Sequence, residues 1–164
     1  MTKRTYGNDS IRVLWDSSLC IHTGFCIKTG SGVFDPQRRP WVRLDLASPD
    51  VVAQAVQACP TGALRYERLD GGPQEESQTP TTVVPWPNGP LFVRGSIEVS
   101  DRSGDVFLVG PRASLCRCGA SRNQPFCDLS HRETGFKDNP RARPRSRETA
   151  ECPADIDGAT LPDG

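Results

Sequence analysis

The spacing of its cysteines constrains this chain more than any other feature. Residues 115–131 read LCRCGASRNQPFCDLSH: Cys116-x-Cys118, eight residues, then Cys127-x3-His131. Cys20, Cys26 and Cys59 form a second set upstream, and Cys152 brings the total to seven. The chain has 164 residues, 15 Gly, 15 Pro and a hydrophobic fraction of 35%. Small, loop-rich domains bury too little apolar surface to be stable without a staple. An odd number of cysteines fits poorly with a closed disulfide framework, and no N-terminal basic region leads into the apolar run of a secretory signal. The expectation is a cytoplasmic chain whose cysteines stay reduced and bind metal. No apolar run approaches the ~18 residues of a membrane span. Twenty basic residues balance 20 acidic ones, so neither nucleic acid nor a membrane surface is expected as a partner.

Hydrophobic patterning divides the chain into parts. Residues 11–15 (IRVLW) alternate as a strand does, and Val33-Phe34 and Trp41-Val42-Arg43 read as short strands around a turn at Asp35-Pro36. A helix is expected from Ser48, an N-cap followed by Pro49, with Val51, Val52, Ala55 and Val56 on one face and Pro60 closing it. Ala63 to Arg68 then returns to the sheet. Residues 70–82 (DGGPQEESQTPTT) carry no apolar pattern and read as a linker that few contacts should cross. Beyond it, residues 91–94, 97–100 and 106–109 are strand candidates, with a hairpin turn at Asp101–Gly104. The expected class is α+β: an α+β domain over 1–70, a linker over 71–87, a small β-rich domain over 88–140 and a disordered polar tail over 141–164. The tail carries Arg141, Arg143, Arg145 and Arg147 before an acidic stretch, and its Cys152 is expected to be a free thiol. Trp15, Trp41 and Trp86 are expected to pack or to shield a metal site.

Two cysteines separated by one residue can grip one metal from a single loop. Cys127 and His131, four apart, face the same way on one helical turn. Pro125 just before this turn and Asp128 within it fit a helix N-terminus, whose partial positive charge favours an anion. Three thiolates and one imidazole suit both irons of a [2Fe–2S] cluster. They also suit tetrahedral zinc, which the residue types alone would favour. The segment as a whole resembles the CDGSH iron–sulfur family over roughly residues 88–140. Every ligand position of that motif is matched, as are Ser121, Pro125, Asp128, Ser130 and Gly135-Phe136; the family's Gly is Leu129 here. The resemblance implies [2Fe–2S] rather than zinc, and a homodimer unless the added first domain takes the partner's place.

The upstream set begins with Cys20-Ile-His-Thr-Gly-Phe-Cys26 and ends, after the expected helix, at Cys59-Pro60. Bacterial ferredoxins use Cys-x2-Cys-x2-Cys with a distant Cys-Pro. On that frame Cys20 and Cys26 are the outer pair and Thr23 stands where the middle cysteine would be. Three thiolates can hold [3Fe–4S], or [4Fe–4S] with water, hydroxide or another side chain on the open iron. His22 is a fourth-ligand candidate, a donor to sulfide, or a residue that orients the loop. Cys20-x-His22-x-Gly24-x-Cys26, Val33-Phe34, Arg39-Pro40-Trp41 and Cys59-Pro60-Thr61-Gly62-Ala63-Leu64 together resemble the divergent single-cluster ferredoxin-like domain over residues 6–68. That resemblance implies a ferredoxin-like first domain.

The candidate cofactor-binding residues are therefore Cys116, Cys118, Cys127 and His131 for one cluster, and Cys20, Cys26 and Cys59 for the other. No nucleophile–base pair or phosphate loop is visible, so a one-electron carrier working with a redox partner protein is expected rather than an enzyme. A cluster carrier that delivers to an apo-acceptor, or a redox sensor, is the first alternative. A structural zinc module that presents a binding surface is the second.

Overall fold

The computed structural model describes residues 3–30 and 32–138. The expected tail and Cys152 lie outside the described residues. The first half is a three-stranded antiparallel sheet in the order β1 (Lys3–Gly7), β2 (Ile11–Asp16), β3 (Leu64–Arg68), covered by two helices, α1 (Phe25–Thr29) and α2 (Pro49–Gln57). Strand β1, the edge strand, was not expected: KRTYG is mostly exposed and has no alternation to betray it. In β2 the alternation is as read, with Ile11 and Val13 fully buried and Arg12 and Leu14 outside. The Ser48 side chain accepts from the Val51 N–H, and α2 buries Val52, Ala53, Ala55 and Val56. Val33-Phe34 and Trp41–Arg43 do not form strands; one bridge joins Phe34 to Val42, and both side chains enter the core.

The second half is another three-stranded antiparallel sheet, β4 (Thr82–Pro85), β5 (Leu91–Ser100) and β6 (Val106–Leu115). β4 arises inside the segment read as linker, where Thr82, Val83 and Val84 supply β-branched residues for an edge strand. β5 is one strand rather than two. It continues through a register shift at Gly95, whose φ of +145° no other residue adopts readily. The turn at Asp101–Gly104 is present, with the Asp101 carboxylate accepting from the Ser103 and Asp105 N–H groups. A short helix, α3 (Ser130–Glu133), follows the cysteine loop.

The two halves are closely joined, contrary to the expectation of few crossing contacts. The Arg112 side chain, 4% exposed, donates to the Leu64 carbonyl at 2.9 Å and pairs with Glu75 at 2.7 Å, itself 5% exposed. Arg65 donates to the Val109 carbonyl, and Asn123 donates to the Ser18 carbonyl at 2.7 Å. Gly62 (φ +73°) lies so close to the Arg112 backbone that a Cβ would stand 2.5 Å from its carbonyl oxygen. Phe126, from the second half, belongs to the same apolar core as Leu19, Phe34, Val56 and Leu64. The polar segment around Glu75 is thus clamped, because a buried guanidinium needs a counter-charge that composition does not reveal. No helix among the described residues is long and apolar enough to cross a membrane.

Candidate metal centres

Cys20 follows the short turn after β2, Cys26 lies in α1, and Cys59 follows α2. All three line one cavity of about 600 Å³, together with His22, Thr23, Trp15 and Trp41. The loop reaches this geometry through two left-handed positions, His22 (φ +50°) and Gly24 (φ +75°). Burial, with the nearby Cys59 and Cys20, pushes the Cys26 thiol up to about 11. The cavity also has Arg4 and Arg39 in its wall, and no Asp or Glu among the described residues. Trp15 packs on Trp41 edge-on at 5.2 Å, and the indole N–H of each is buried without a partner among the described residues. Indole can only donate, so these groups call for an acceptor. His22 Nδ1 lies 3.8 Å from Cys20 Sγ, and the Thr61 hydroxyl lies 3.5 Å from Cys59 Sγ.

The second site sits on the loop between β6 and α3. Cys116 Sγ and Cys118 Sγ are 3.6 Å apart, and Cys127 Sγ is 3.5 Å from His131 Nδ1. A tetrahedral metal with bonds of about 2.3 Å to thiolate and about 2.0 Å to imidazole places such pairs roughly 3.8 and 3.5 Å apart. Each pair therefore spans one tetrahedral edge. Cross-bonds hold the loop: Cys116 N–H donates to the Pro125 carbonyl, Cys127 N–H to the Ser114 carbonyl, and the Ser121 hydroxyl to the Phe126 carbonyl. The helical turn starts later than expected. Cys127 precedes it and Leu129 (φ +76°) is its N-cap, so the left-handed backbone persists without the family's Gly. Leu129 N–H points at Cys127 Sγ, 3.4 Å away. Asp128 accepts from the Ser130 hydroxyl and N–H and from the Arg122 N–H, and its carboxyl falls to about 2, chiefly through the Ser130 hydroxyl.

The thiols here differ from those of the first half. Burial would raise Cys116, but the N–H groups of Ser121, Gly119 and Cys118 and the Cys118 side chain outweigh it, and its pKa falls below the ordinary value. Burial raises Cys127, against the Leu129 N–H. Burial also lowers His131, with Arg132 beside it, which keeps the imidazole neutral and able to coordinate. Arg117, between two candidate ligands, was not singled out by sequence. It turns outward, donates to the Gly89 and Trp86 carbonyls, pairs with Asp138 and lies over the Phe136 ring. Its place in Cys-x-Cys is the signal that was available: a residue between two ligands of one metal must face away from it.

Family comparison agrees with both sites. The model for a divergent 4Fe-4S mono-cluster matches residues 6–69, and the model for an iron-binding zinc finger of CDGSH type matches residues 88–132. The chain belongs to the divergent 4Fe-4S mono-cluster family through its first half and carries a CDGSH-type iron-binding domain behind it. It is 32% identical over 63 residues to the uncharacterized protein YjdI of Escherichia coli K12, covering 38% of this chain and 83% of that one. The counterpart in Escherichia coli O157:H7 matches to the same extent. The chain is thus an iron–sulfur protein of α+β architecture. The residues present fit such groups. The mono-cluster cavity offers three thiols, cationic walls and two unpartnered N–H donors. The CDGSH loop offers two tetrahedral edges. Among the described residues no three His, Cys, Asp or Glu side chains converge tightly enough for a single metal ion.

Proposed function

We propose that this chain is a cytoplasmic one-electron carrier rather than an enzyme. In this reading Cys116, Cys118, Cys127 and His131 hold a [2Fe–2S] cluster, and Cys20, Cys26 and Cys59 hold a [4Fe–4S] cluster. The observation that carries the reading is the pairing at the CDGSH loop: Cys116 with Cys118 and Cys127 with His131 each span one tetrahedral edge, yet among the described residues no three such side chains converge on one ion, which suits two irons rather than one zinc. When bound, such clusters supply reversible one-electron uptake. The chain's own part is to bind and to tune. Cys116 sits among N–H groups that favour its thiolate, and His131 presents Nδ1 beside Cys127 Sγ.

In the first half, Arg4, Arg39 and the indoles of Trp15 and Trp41 line the cavity and would face the negative charge of a cluster held by the three thiolates. His22 Nδ1 lies 3.8 Å from Cys20 Sγ, nearer than ligands of neighbouring irons stand to one another, so in this reading His22 orients the Cys20 sulfur rather than binding the open iron through Nδ1. The fourth iron then faces Thr23 and solvent, and its loss would leave [3Fe–4S]. The first half packs on the CDGSH half through Arg112 and Phe126, and in this reading it takes the place of a second copy, so a monomer is expected from sedimentation.

Anaerobic purification followed by iron and sulfide analysis, EPR, Mössbauer spectroscopy and redox titration tests the reading. About six irons per chain and two reversible one-electron couples are expected. About two irons would sink the N-terminal site, and a colourless zinc protein from iron-replete cells would sink both. Cys127→Ser should remove or alter the [2Fe–2S] spectrum and leave the other intact. Delivery of a cluster to an apo-acceptor faster than redox cycling would favour the cluster-carrier alternative instead.

A further inference from the structure

Between the halves lies an open cleft of about 920 Å³ that neither family match accounts for. One wall is the Cys20–Cys26 loop, where Ile21 and Thr23 line both this cleft and the cavity holding the three thiols. The opposite wall carries His131, a candidate ligand of the other cluster. One occupant of the cleft therefore stands a single layer of side chains from the first site and against a ligand of the second.

The cleft is cationic in a chain with no net charge. Arg94, Arg132 and Lys137 line it, and no Asp or Glu among the described residues does. Its walls are otherwise largely apolar, and large side chains stand out of them: Trp86 is 55% exposed, Val84 50% and Phe25 46%. A patch of exposed Trp, Phe and Arg is the composition of interface hot spots, and clustered exposed apolar side chains mark contact surfaces. Arg117 fixes the Trp86 backbone to the cysteine loop, so the aromatic wall is held rigidly against the second site.

We propose that this cleft docks an acidic redox protein, which exchanges electrons with both clusters from one position. Resting on the electron-carrier reading, this inference adds the place and the charge of the partner. Each encounter moves one electron: the partner's centre is oxidised by one electron and a cluster is reduced by one, or the reverse. No bond forms or breaks. Lys137, Arg132 and Arg94 attract the partner's carboxylates, and Trp86 and Phe25 meet its apolar centre. Attraction between opposite charges speeds association and weakens as salt rises.

Stopped-flow electron transfer tests this with the full chain and two probes of opposite charge. Reduced flavodoxin is the acidic probe and cytochrome c the basic one. The flavodoxin rate constant should fall at least about tenfold between low and high ionic strength. The double variant Arg132→Glu with Lys137→Glu should slow flavodoxin about tenfold at low salt and reverse its salt dependence, while cytochrome c should not be slowed. Trp86→Ala should slow flavodoxin and leave the salt dependence unchanged. Potentials of each variant are titrated in parallel.

Full redox cycling with mediators but flavodoxin rates indifferent to salt and to these substitutions overturns the docking site and leaves the carrier reading standing. A slowing explained wholly by a shifted potential does the same. Saturable binding of free flavin mononucleotide, lost in the same variants, overturns it in favour of a small anionic ligand. Failure of either cluster to cycle with any mediator sinks the carrier reading itself.

Discussion

The two cysteine sets meet the same task, holding negative charge, in different settings. The first lies in a cavity: burial and the neighbouring Cys59 and Cys20 raise Cys26 to about 11 against the Ile27 and Cys26 N–H groups, and Arg4, Arg39, Trp15 and Trp41 from separate elements line the wall. The second sits on a cross-bonded loop where backbone N–H groups pull Cys116 below its ordinary value and one candidate ligand is an imidazole. The wall of the first cavity is drawn from several elements of the core, whereas the amides around Cys116 belong to one loop. A cluster in the first site should therefore survive as long as the fold does, whereas the second should exchange or lose its metal without global unfolding. Yet both share a core through Phe126 and an interface through Arg112, which limits how independent they can be.

The sharpest way to break this comparison is at Glu75. Glu75→Ala leaves the buried Arg112 guanidinium without its counter-charge, and breaking a buried pair from one side costs about 3–5 kcal/mol. Because Arg112 also bonds Leu64, both halves should lose stability together, seen as a single lowered transition when unfolding is followed by both clusters' visible bands. Two separated transitions would show that the halves are independent after all.

Gly62→Ala probes the same seam from the other side. A Cβ there meets the Arg112 carbonyl at 2.5 Å, and the left-handed φ of +73° adds roughly 1–2 kcal/mol of strain. Overpacking adds about 1–3 kcal/mol more. Denaturant unfolding should show a loss of about 2–5 kcal/mol. The first cluster should be disturbed more, because Gly62 is three residues from Cys59 and distant in sequence from the CDGSH loop. Equal loss of both clusters would mean that the first site has no rigidity of its own.

Replacement of the imidazole sharpens the contrast within the second site. His131→Cys exchanges a neutral ligand for a thiolate and adds about one negative charge, so electron uptake becomes harder. Exchange of thiolate for imidazole in related clusters moves potentials by hundreds of millivolts for two ligands, so a fall on the order of 100 mV is expected for one. Protons compete for imidazole between roughly pH 5 and 7, so the variant should also keep its cluster longer in mild acid. The first cluster serves as the internal control. Unchanged potential and unchanged acid loss would remove His131 from the ligand set.

Much of this organisation was legible because the informative residues act locally. Ser48-Pro49 and the Val51–Val56 face set α2, and IRVLW set β2, through contacts within a few positions. Each cysteine set was legible from its spacing together with the motif residues around it, and the structure brings Cys20, Cys26 and Cys59 to one cavity and Cys116, Cys118, Cys127 and His131 to one loop region. What escaped was non-local. β1 is a mostly exposed edge strand that pairs with β2 and packs Tyr6 on Trp41, and β4 lies in a Thr-rich stretch that reads as linker until β5 is beside it. Glu75 looked like solvated charge because its partner lies at position 112. The unpartnered indoles of Trp15 and Trp41 and the outward clamp at Arg117 are likewise consequences of packing.

Leu129 is the smallest test and the most specific to this chain. It sits at φ +76° as the N-cap of α3, where a branched side chain crowds its own backbone and the family motif carries Gly. Left-handed backbone costs a non-glycine residue roughly 1–2 kcal/mol, and Gly loses back about 0.5–1 kcal/mol through the greater freedom of the unfolded chain. Leu129→Gly should therefore stabilise the folded protein by about 0.5–1 kcal/mol, read as a small rise in denaturation midpoint. The Leu129 N–H to Cys127 Sγ contact depends on the backbone alone, so the [2Fe–2S] spectrum and potential should not change. Leu129 also lines the cleft between the halves, which gives this chain a reason to retain a strained residue. If the variant is instead less stable, the Leu129 side chain contributes more by packing at that wall than its backbone costs. The loop would then resemble the first site, held by side chains rather than by amides, and the contrast between the two sites would shrink accordingly.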